Sequence, residues 1–324
     1  MKIFITGVAG MLGSHLSEIL LKKNHTVYGL DNLSVGTKIN LKELIKNKKF
    51  KFIKADINDS KKINQLVKIC DVTVHLAAKK KVTEIQSAYD TLITNVYPTK
   101  TILDAVKKHK KRLIFASTSD VYGISKKIPF KETGDLVLGQ SLAKRWSYAA
   151  SKIYCEHLCY SYYKDFKLKV TILRFFGGFS HKSSFSWSGG HIPLFIDKIL
   201  QGKTILIHGD GKQTRSMGHA QDLAQGTYLA IISKKANGKI INIGNNEEVS
   251  VLGSVKLIAK EMRIKMNNIK IKFIDEQKIF GNYRDIRRRK PDLNLAKKIL
   301  GYKPEITLKK AIKLVVNEKK INHK

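Results

Sequence analysis

Short apolar runs rich in β-branched residues alternate with stretches whose apolar positions recur every three or four residues through the first half of the chain. That alternation predicts a parallel α/β sheet, because each return between parallel strands needs a crossover helix. Strands are predicted at Lys2–Thr6, His25–Leu30, Phe50–Lys54, Val72–Leu76, Arg112–Ala116 and Val170–Phe175. Helices are predicted at Met11–Lys23, at Pro98–Lys108 through Ile102, Leu103 and Val106, and at about Tyr148–Tyr163. After Phe176 the periodicity stops. Gly177–Gly190 is rich in Gly and Ser and reads as a long loop, a length that in compact proteins usually serves function. The remaining third holds shorter elements, a basic run at Arg287–Lys290 and an amphipathic helix near Leu308–Val316.

Composition changes this picture little and charge changes it more. The chain has 324 residues, 43% hydrophobic and 27% charged, which is globular rather than disordered. Its formal net charge is +35, a value that invites a nucleic-acid or membrane-surface reading. Only nine of the 61 basic residues are arginine, however. Base readers and phosphate clamps favour the guanidinium fork, whereas lysine is a hydrated point charge, so the surplus reads as surface composition and a nucleic-acid partner is not expected. No stretch approaches the roughly 20 apolar residues of a membrane helix. The apolar run at the N-terminus is too short for a signal peptide and enters a glycine loop, so a cytoplasmic protein is expected. Cys70, Cys155 and Cys159 make no disulfide framework and read as reduced core residues.

The glycine loop is the first candidate site. Gly7-Val8-Ala9-Gly10-Met11-Leu12-Gly13 follows a predicted strand and opens a predicted helix. Gly7 permits a tight turn, Gly10 lets backbone approach a pyrophosphate, and Gly13 lets the helix pack closely on the strand. The N–H groups and dipole of the helix then face the phosphates. Asp31 ends the second strand about 20 residues on, where a carboxylate accepts from ribose hydroxyls and repels a 2′-phosphate, favouring NAD over NADP. Asn32 follows it, and Asp56-Ile57 after the third strand is placed to border the adenine. Together these predict a Rossmann-type doubly wound parallel sheet over 1–176, completed by about 219–245, with a smaller substrate-binding domain mainly over 177–324 and a cleft between them.

The second candidate is Tyr148-Ala149-Ala150-Ser151-Lys152. On a helix, residues i and i+4 share a face, so the phenol and the ammonium point the same way. An ammonium beside a phenol lowers its pKa from about 10, producing a base for a sugar hydroxyl as hydride leaves. Thr118 ends the preceding strand, where its hydroxyl is placed to share that proton.

In order, Thr6–Gly13, Asp31-Asn32, His75-Leu76-Ala77-Ala78, Ala116–Gly123 and Tyr148-x-x-x-Lys152 give the chain its likeness. It resembles the extended short-chain dehydrogenase/reductases of the NAD-dependent nucleotide-sugar epimerase/dehydratase family. The likeness continues through Gly209–Arg215, His219, Asp222 and Arg289-Lys290-Pro291-Asp292. The resemblance implies held NAD, a nucleoside-diphosphate sugar (a UDP-sugar first) in the C-terminal cleft, and a homodimer built on two helices per subunit. It implies that Leu76, Ala77 and Ala78 line the cofactor, that Lys80 lies near its phosphates and that Asn95 supports the site. Arg215 and Arg289 match arginines at the substrate diphosphate or, in one branch, at a sugar carboxylate. Gly177 and His191 complete the expected substrate contacts.

All branches of the family begin by oxidising C4 of the sugar. Thr118-Ser119-Asp120 lacks the paired acids of the 4,6-dehydratases and is one methylene short of the Thr-Ser-Glu of glucuronate decarboxylases, while simple 4-epimerases usually carry no acid there. Gly177 replaces the usual family asparagine, and the following loop with His181, Trp187 and His191 is expected to shape a different sugar pocket. On the motifs, C4 epimerisation of a UDP-sugar ranks first, with decarboxylation close behind and 4,6-dehydration a further alternative. A non-enzymatic reading, a Rossmann protein that senses NAD or binds RNA, would leave Thr118, Tyr148, Lys152 and Asp120 without work.

Overall fold

Seven short strands pair side by side, all in parallel, with helices on both faces of the sheet, which is why its central strands read as nearly continuous hydrophobic stretches. A computed structural model of the protein describes residues 1–80, 87–184, 190–275 and 285–322. In chain order its strands are β1 (Lys2–Thr6), β2 (Thr26–Asp31), β3 (Phe50–Lys54), β4 (Val72–His75), β5 (Arg112–Thr118), β6 (Lys169–Phe175), β7 (Gly177–Phe179), β8 (Ile205–His208), β9 (Thr214–His219), β10 (Ile240–Ile243), β11 (Glu248–Ser250), β12 (Ile271–Ile274) and β13 (Arg288–Arg289). Its α-helices are α1 (Met11–Lys22), α2 (Ser60–Ile69), α3 (Ala88–Lys108), α4 (Ser147–Phe166), α5 (His191–Leu200), α6 (Ala220–Ile232), α7 (Val251–Met262), α8 (Asn294–Leu300) and α9 (Leu308–Asn322).

The large sheet runs β3-β2-β1-β4-β5-β6-β10. This is a Rossmann-type doubly wound sheet, and its strand order reverses between β1 and β4, where such folds open a crevice at the carboxyl ends of the strands. Leu16, Leu20, Leu223 and Ala230 of α1 and α6 fill one face. Ile63, Val67, Ile102, Val106, Cys155 and Cys159 of α2, α3 and α4 fill the other, and all three cysteines are buried and free. A third core joins Phe179, Phe195, Ile205, Val255, Ile258 and Ile312 under two small sheets, β11-β9-β13 with β7 on β9, and β12-β8. No helix among the described residues is long and apolar enough to cross a membrane.

Three elements differ from the sequence pattern. Helix α3 starts at Ala88, with Ser87 accepting a hydrogen bond from the Asp90 N–H, and carries Pro98 inside it. Burial of Pro98, Thr99 and Ile102 against the sheet outweighs the missing N–H there. Helix α2 begins where the Asp59 side chain accepts from the Lys62 N–H. Gly177–Phe179, expected as loop, is the strand β7 paired with β9, and Phe179 anchors it in the third core. Trp187 lies outside the described residues.

At the strand reversal His75 ties three elements together. Its Nδ1 pairs with the Thr6 hydroxyl at 2.8 Å and its Nε2 with the Thr99 hydroxyl at 3.1 Å. Thr99 spends its own proton on the Asn95 carbonyl at 2.6 Å, so the histidine donates from Nε2. Burial first, and then the charge of Lys152, pushes the His75 pKa down to about 3. The unfolded chain takes up a proton on this residue below pH about 6.5 and the folded chain does not. Stability is therefore whole above that pH and declines as pH falls toward 3, by at most about 1.4 kcal/mol per pH unit for this group. Urea unfolding between pH 7 and 4 is expected to show that slope, and His75→Gln is expected to flatten it; an unchanged slope in the variant contradicts the assignment.

Candidate active site

The glycine loop closes the end of β1 and leads into α1. Gly7 has φ +74°, and a Cβ on it would lie 2.8 Å from the Ala77 nitrogen. A Cβ on Gly13 would lie 2.4 Å from the Gly7 carbonyl oxygen, so only glycine lets the helix sit this close to the loop. Gly10 is the N-cap of α1 and offers no side-chain cap, which leaves the N–H groups of the first turn, at Met11 and Leu12, directed out of the helix end. This cradle fits a diphosphate by close backbone approach and helix dipole.

Asp31 holds the loop in place as well as facing the crevice. Its carboxylate accepts from the Ala9 N–H at 2.9 Å and the Leu33 N–H at 2.8 Å, and it is buried. The Asn32 amide donates to Asp56 at 2.8 Å, which joins the turns after β2 and β3 beside buried Ile57. After β4, Leu76 and Ala77 bond to Thr6, and Ala78 follows. Asn95 accepts from the Lys79 N–H at 2.8 Å and donates to the Ser151 hydroxyl at 3.0 Å, linking this turn to α4.

Tyr148 and Thr118 meet as the spacing predicts, with the two side chains hydrogen-bonded. Lys152 does not sit as expected. Its ammonium donates to the Ala116 carbonyl at 2.8 Å and lies over the Phe115 ring, while burial lowers its own pKa. The phenol is consequently raised rather than lowered: burial comes first and the neighbouring Asp120 charge second, with Arg145 and Thr118 opposing them. The expected depression by Lys152 is thus corrected by geometry, because the ammonium is spent on a carbonyl.

Asp120 is the centre of the charge arrangement. It is 2% exposed and forms an ion pair with Arg289 and a looser one with Arg145, whose Nη1 lies 3.9 Å from Oδ2. Burial alone would raise its carboxyl, yet the cations Arg289, Arg145 and Lys80 hold it far below the usual range. Lys80 is exposed at the end of this turn, and desolvation, followed by the charges of Arg145 and Arg289, lowers its pKa against the pull of Asp120. Two further buried atoms here, Oδ2 of Asp120 and Nε of Arg289, have no hydrogen-bond partner.

The second half of the cleft is braced by Arg215. It grips Asp285 through two bonds of 2.7 and 2.9 Å and donates to the Ile286 carbonyl at 2.6 Å, which fixes the segment carrying Arg289. His191, at the start of α5, has an unpartnered buried Nε2, and burial with the nearby Arg215 charge lowers its pKa to about 3. Gly177 packs against Met217, where a Cβ would lie 2.4 Å from the sulfur, so this position offers backbone only. His181 lies away from this cleft, edge-on to His15. No group of three or more His, Cys, Asp or Glu among the described residues could hold a metal ion.

A family model described as GDP-mannose 4,6 dehydratase matches residues 4–315. The chain belongs to this family. It is one of NAD-dependent extended short-chain dehydrogenase/reductase enzymes, epimerases and dehydratases. A UDP-N-acetyl-alpha-D-glucosaminuronate decarboxylase of Bacillus cytotoxicus is 36% identical over 96% of this chain and 95% of that protein. Among solved structures, Pal from Bacillus thuringiensis superposes with a TM-score of 0.90 at 29% identity, covering 99% of this chain and 100% of that one. The UDP-glucuronic acid 4-epimerase of Bacillus cereus, in complex with UDP-glucuronic acid and NAD, superposes at 0.89 with 29% identity and the same coverage.

Within this family frame, sequence reasoning missed three residues that shape the site. Glu156 on α4 forms a buried ion pair with Arg174 at 2.6 Å and accepts from the Ser117 hydroxyl at 2.5 Å, next to Thr118. Asp285 holds Arg215. Arg145 approaches Asp120 from the turn before α4. The signal that marks Arg145 and the partners of Glu156 and Asp285 is the rarity of arginine in a lysine-rich chain.

Proposed function

We propose that the protein is an NAD-dependent enzyme that oxidises C4 of a UDP-hexuronate and releases its carboxylate as carbon dioxide. The observation that carries this reading is one buried carboxylate, Asp120, facing Arg289, Arg145 and Lys80 beside the Tyr148 phenol. Arginines gathered at a buried acid beside the phenol suit an anionic substrate group better than a neutral hydroxymethyl. The full-length likeness to a uronate decarboxylase supports the choice of branch. The motifs alone ranked epimerisation first; the likeness to a UDP-glucuronic acid 4-epimerase keeps that reaction, on the same uronate, as the second reading.

In this proposal Gly7, Gly10, Met11, Leu12, Gly13, Asp31, Asn32, Asp56, Ile57, Leu76, Ala77, Ala78, Lys80, Asn95, Tyr148 and Lys152 hold the cofactor. Thr118, Gly177, His191, Arg215 and Arg289 hold the nucleotide sugar, so 1–176 with 219–245 serves the cofactor and the rest mainly the substrate. NAD, when bound, would supply a hydride acceptor and a positive charge. Tyr148 takes the C4 hydroxyl proton, with Thr118 bridging it, once its own phenol is ionised, a step that burial and Asp120 oppose and that Arg145 and Thr118 favour. Loss of the C4 proton and hydride would leave a ketone β to the C6 carboxylate, so the C5–C6 bond breaks with its electrons delocalised into the carbonyl and a proton returns to C5; return of the hydride to C4 and of the Tyr148 proton to its oxygen would complete the UDP-pentose. Arg289 orients the leaving carboxylate, and Asp120 fixes Arg289.

The test is product analysis. Purified protein incubated with UDP-glucuronate, UDP-N-acetylglucosaminuronate, UDP-glucose and dTDP-glucose is expected to yield carbon dioxide and a UDP-pentose product from a uronate. A C4-inverted uronate of unchanged mass supports the second reading, and turnover of the neutral sugars alone contradicts both. We also propose a homodimer through α3 and α4, where Tyr97 and Tyr154 are 60% and 56% exposed. Sedimentation giving a monomer mass contradicts it.

A further inference from the structure

All seven strands of the large sheet run the same way, so every turn that leads from a helix back into a strand lies at one end of the sheet, opposite the crevice. Charge is divided unevenly between the two ends. Residues 22–25, 46–49, 68–71, 107–111, 164–169 and 233–239, which lead into β2, β3, β4, β5, β6 and β10, hold sixteen lysines and two acids. Fifteen of these lysines are exposed and Lys111 is half-buried. At the crevice end, the turns that leave β1, β2 and β3 (7–10, 32–37 and 55–59) hold no lysine and two aspartates. A lysine surplus that was composition alone would load both ends.

Apolar tips stand among those lysines. Ile69, Phe166 and Ile232 are the last residues of α2, α4 and α6, and each is between 45% and 49% exposed, as is Met1 ahead of β1. Helices α2 and α4 pack on one face of the sheet and α6 on the other, so the tips flank the row of strand ends from both sides. At roughly 4.8 Å between neighbouring strands, the row of seven is about 29 Å long. Its members meet: Arg112 is in register with Lys169, and Lys107 Nζ lies 3.3 Å from the centre of the Phe166 ring. Of the acids nearby, Asp71 accepts from the Lys2 N–H at 2.7 Å and Glu43 pairs with Lys46. Helix dipoles draw lysine to a last turn. They do not account for Lys110, Lys111, Lys167, Lys169 and Lys239, which lie beyond the helix ends, or for the exposed apolar tips.

We propose that this end of the molecule docks on a bilayer containing anionic phospholipid, with the lysines against the headgroups, Ile69, Phe166 and Ile232 dipping among them, and the crevice facing solution. The proposal is independent of which sugar the enzyme converts. A bilayer fits this face better than a nucleic acid does. Phosphate clamps and base readers favour the guanidinium fork. Arg112, next to these turns at the start of β5, spends its amino groups on the Ala230, Ile231 and Ser233 carbonyls. Aliphatic tips give a base nothing to stack on, whereas burial at the headgroup boundary stabilises them. A basic field and a few apolar tips together give reversible binding that weakens with salt.

The experiment is co-sedimentation of the full chain with vesicles of phosphatidylcholine, alone or with about 30% phosphatidylserine. Binding is expected only with phosphatidylserine at about 0.1 M salt, and is expected to vanish at about 1 M, where screening shortens to about 3 Å. Absence of binding to the phosphatidylserine vesicles at the lower salt overturns the proposal outright. Lys108→Gln, Lys169→Gln and Lys235→Gln together are expected to weaken binding about 10- to 100-fold. Lys256→Gln, Lys260→Gln and Lys313→Gln, in α7 and α9, lower the net charge equally and are expected to change it less than about threefold. Equal weakening by both sets assigns the effect to net charge and overturns the proposal. Phe166→Ser with Ile232→Ser is expected to weaken vesicle binding about 10-fold and to leave retention of single-stranded RNA unchanged. Vesicle binding untouched by that pair, or tighter binding of the parent to RNA than to the vesicles, assigns the face to a nucleic acid and overturns the proposal as well. Urea midpoints matched to the parent keep misfolding from imitating a loss.

Discussion

Tyr148→Phe is expected to reduce turnover by about 10²- to 10⁴-fold, the range lost when a positioned acid–base group is removed. The substitution deletes one oxygen from a buried ring and leaves the helix intact, so nucleotide-sugar binding is expected to persist. The phenol in this chain is raised by burial and by Asp120, and Arg145 and the Thr118 hydrogen bond are what oppose that rise. Thr118→Val is therefore expected to move the basic-form limb of the kcat/KM profile to higher pH, because it removes a bond that stabilises the phenolate. Steady-state rates across pH check both statements. Full activity in Tyr148→Phe contradicts the assignment.

The second large effect is on stability. Arg174 and Glu156 are 3% and 4% exposed and pair through bonds of 2.6, 2.9 and 3.2 Å. Glu156→Leu leaves a buried guanidinium without its carboxylate and frees the Ser117 hydroxyl, so a loss of about 3–5 kcal/mol is expected. Because Ser117 precedes Thr118, the same variant is expected to lower kcat at temperatures where it remains folded. Adding Arg174→Met is expected to restore most of the stability, since removing both charges avoids the unpaired one. Urea midpoints of the parent, single and double variants read this; a parent-like midpoint in Glu156→Leu refutes the role of the pair.

How much of this was legible in the sequence follows from the range of the forces involved. The β1–loop–α1 unit is local: strand, Gly7, Gly10 and Gly13 lie within a dozen residues, and their spacing alone defines the cradle. The Tyr148–Thr118 contact was legible for a similar reason, because a strand end and a helix start have fixed directions. The start of α3 was not, since Pro98 marks a helix start by local rules and only packing keeps it in a helix interior. Strand β7 was hidden because two glycines and one buried phenylalanine give no alternation.

The charge cluster was the least legible part. Asp120 and Arg289 lie 169 positions apart, and no periodicity connects them. Its trace was compositional. In a chain that uses lysine for nearly all its positive charge, arginine persists where a planar fork is needed. Arg174, Arg215, Arg287, Arg288 and Arg289 each bond a carboxylate, and Arg112 bonds three carbonyls of the chain that ends α6. The same rule singles out Arg145. The net charge of +35 first suggested a polymeric partner; its scarce arginines point instead to one small anion in one cleft.

In the proposed reaction Tyr148 and Thr118 serve oxidation of the sugar at C4 before its carboxylate leaves. The most direct test is a single turnover of the NAD-loaded protein with UDP-hexuronate carrying deuterium at C4, followed by reduced-nicotinamide absorbance and by carbon dioxide release. A transient rise in absorbance, slowed by deuterium, is expected to precede carbon dioxide. Carbon dioxide released with no transient, or at a rate deuterium does not touch while absorbance stays flat, would contradict it.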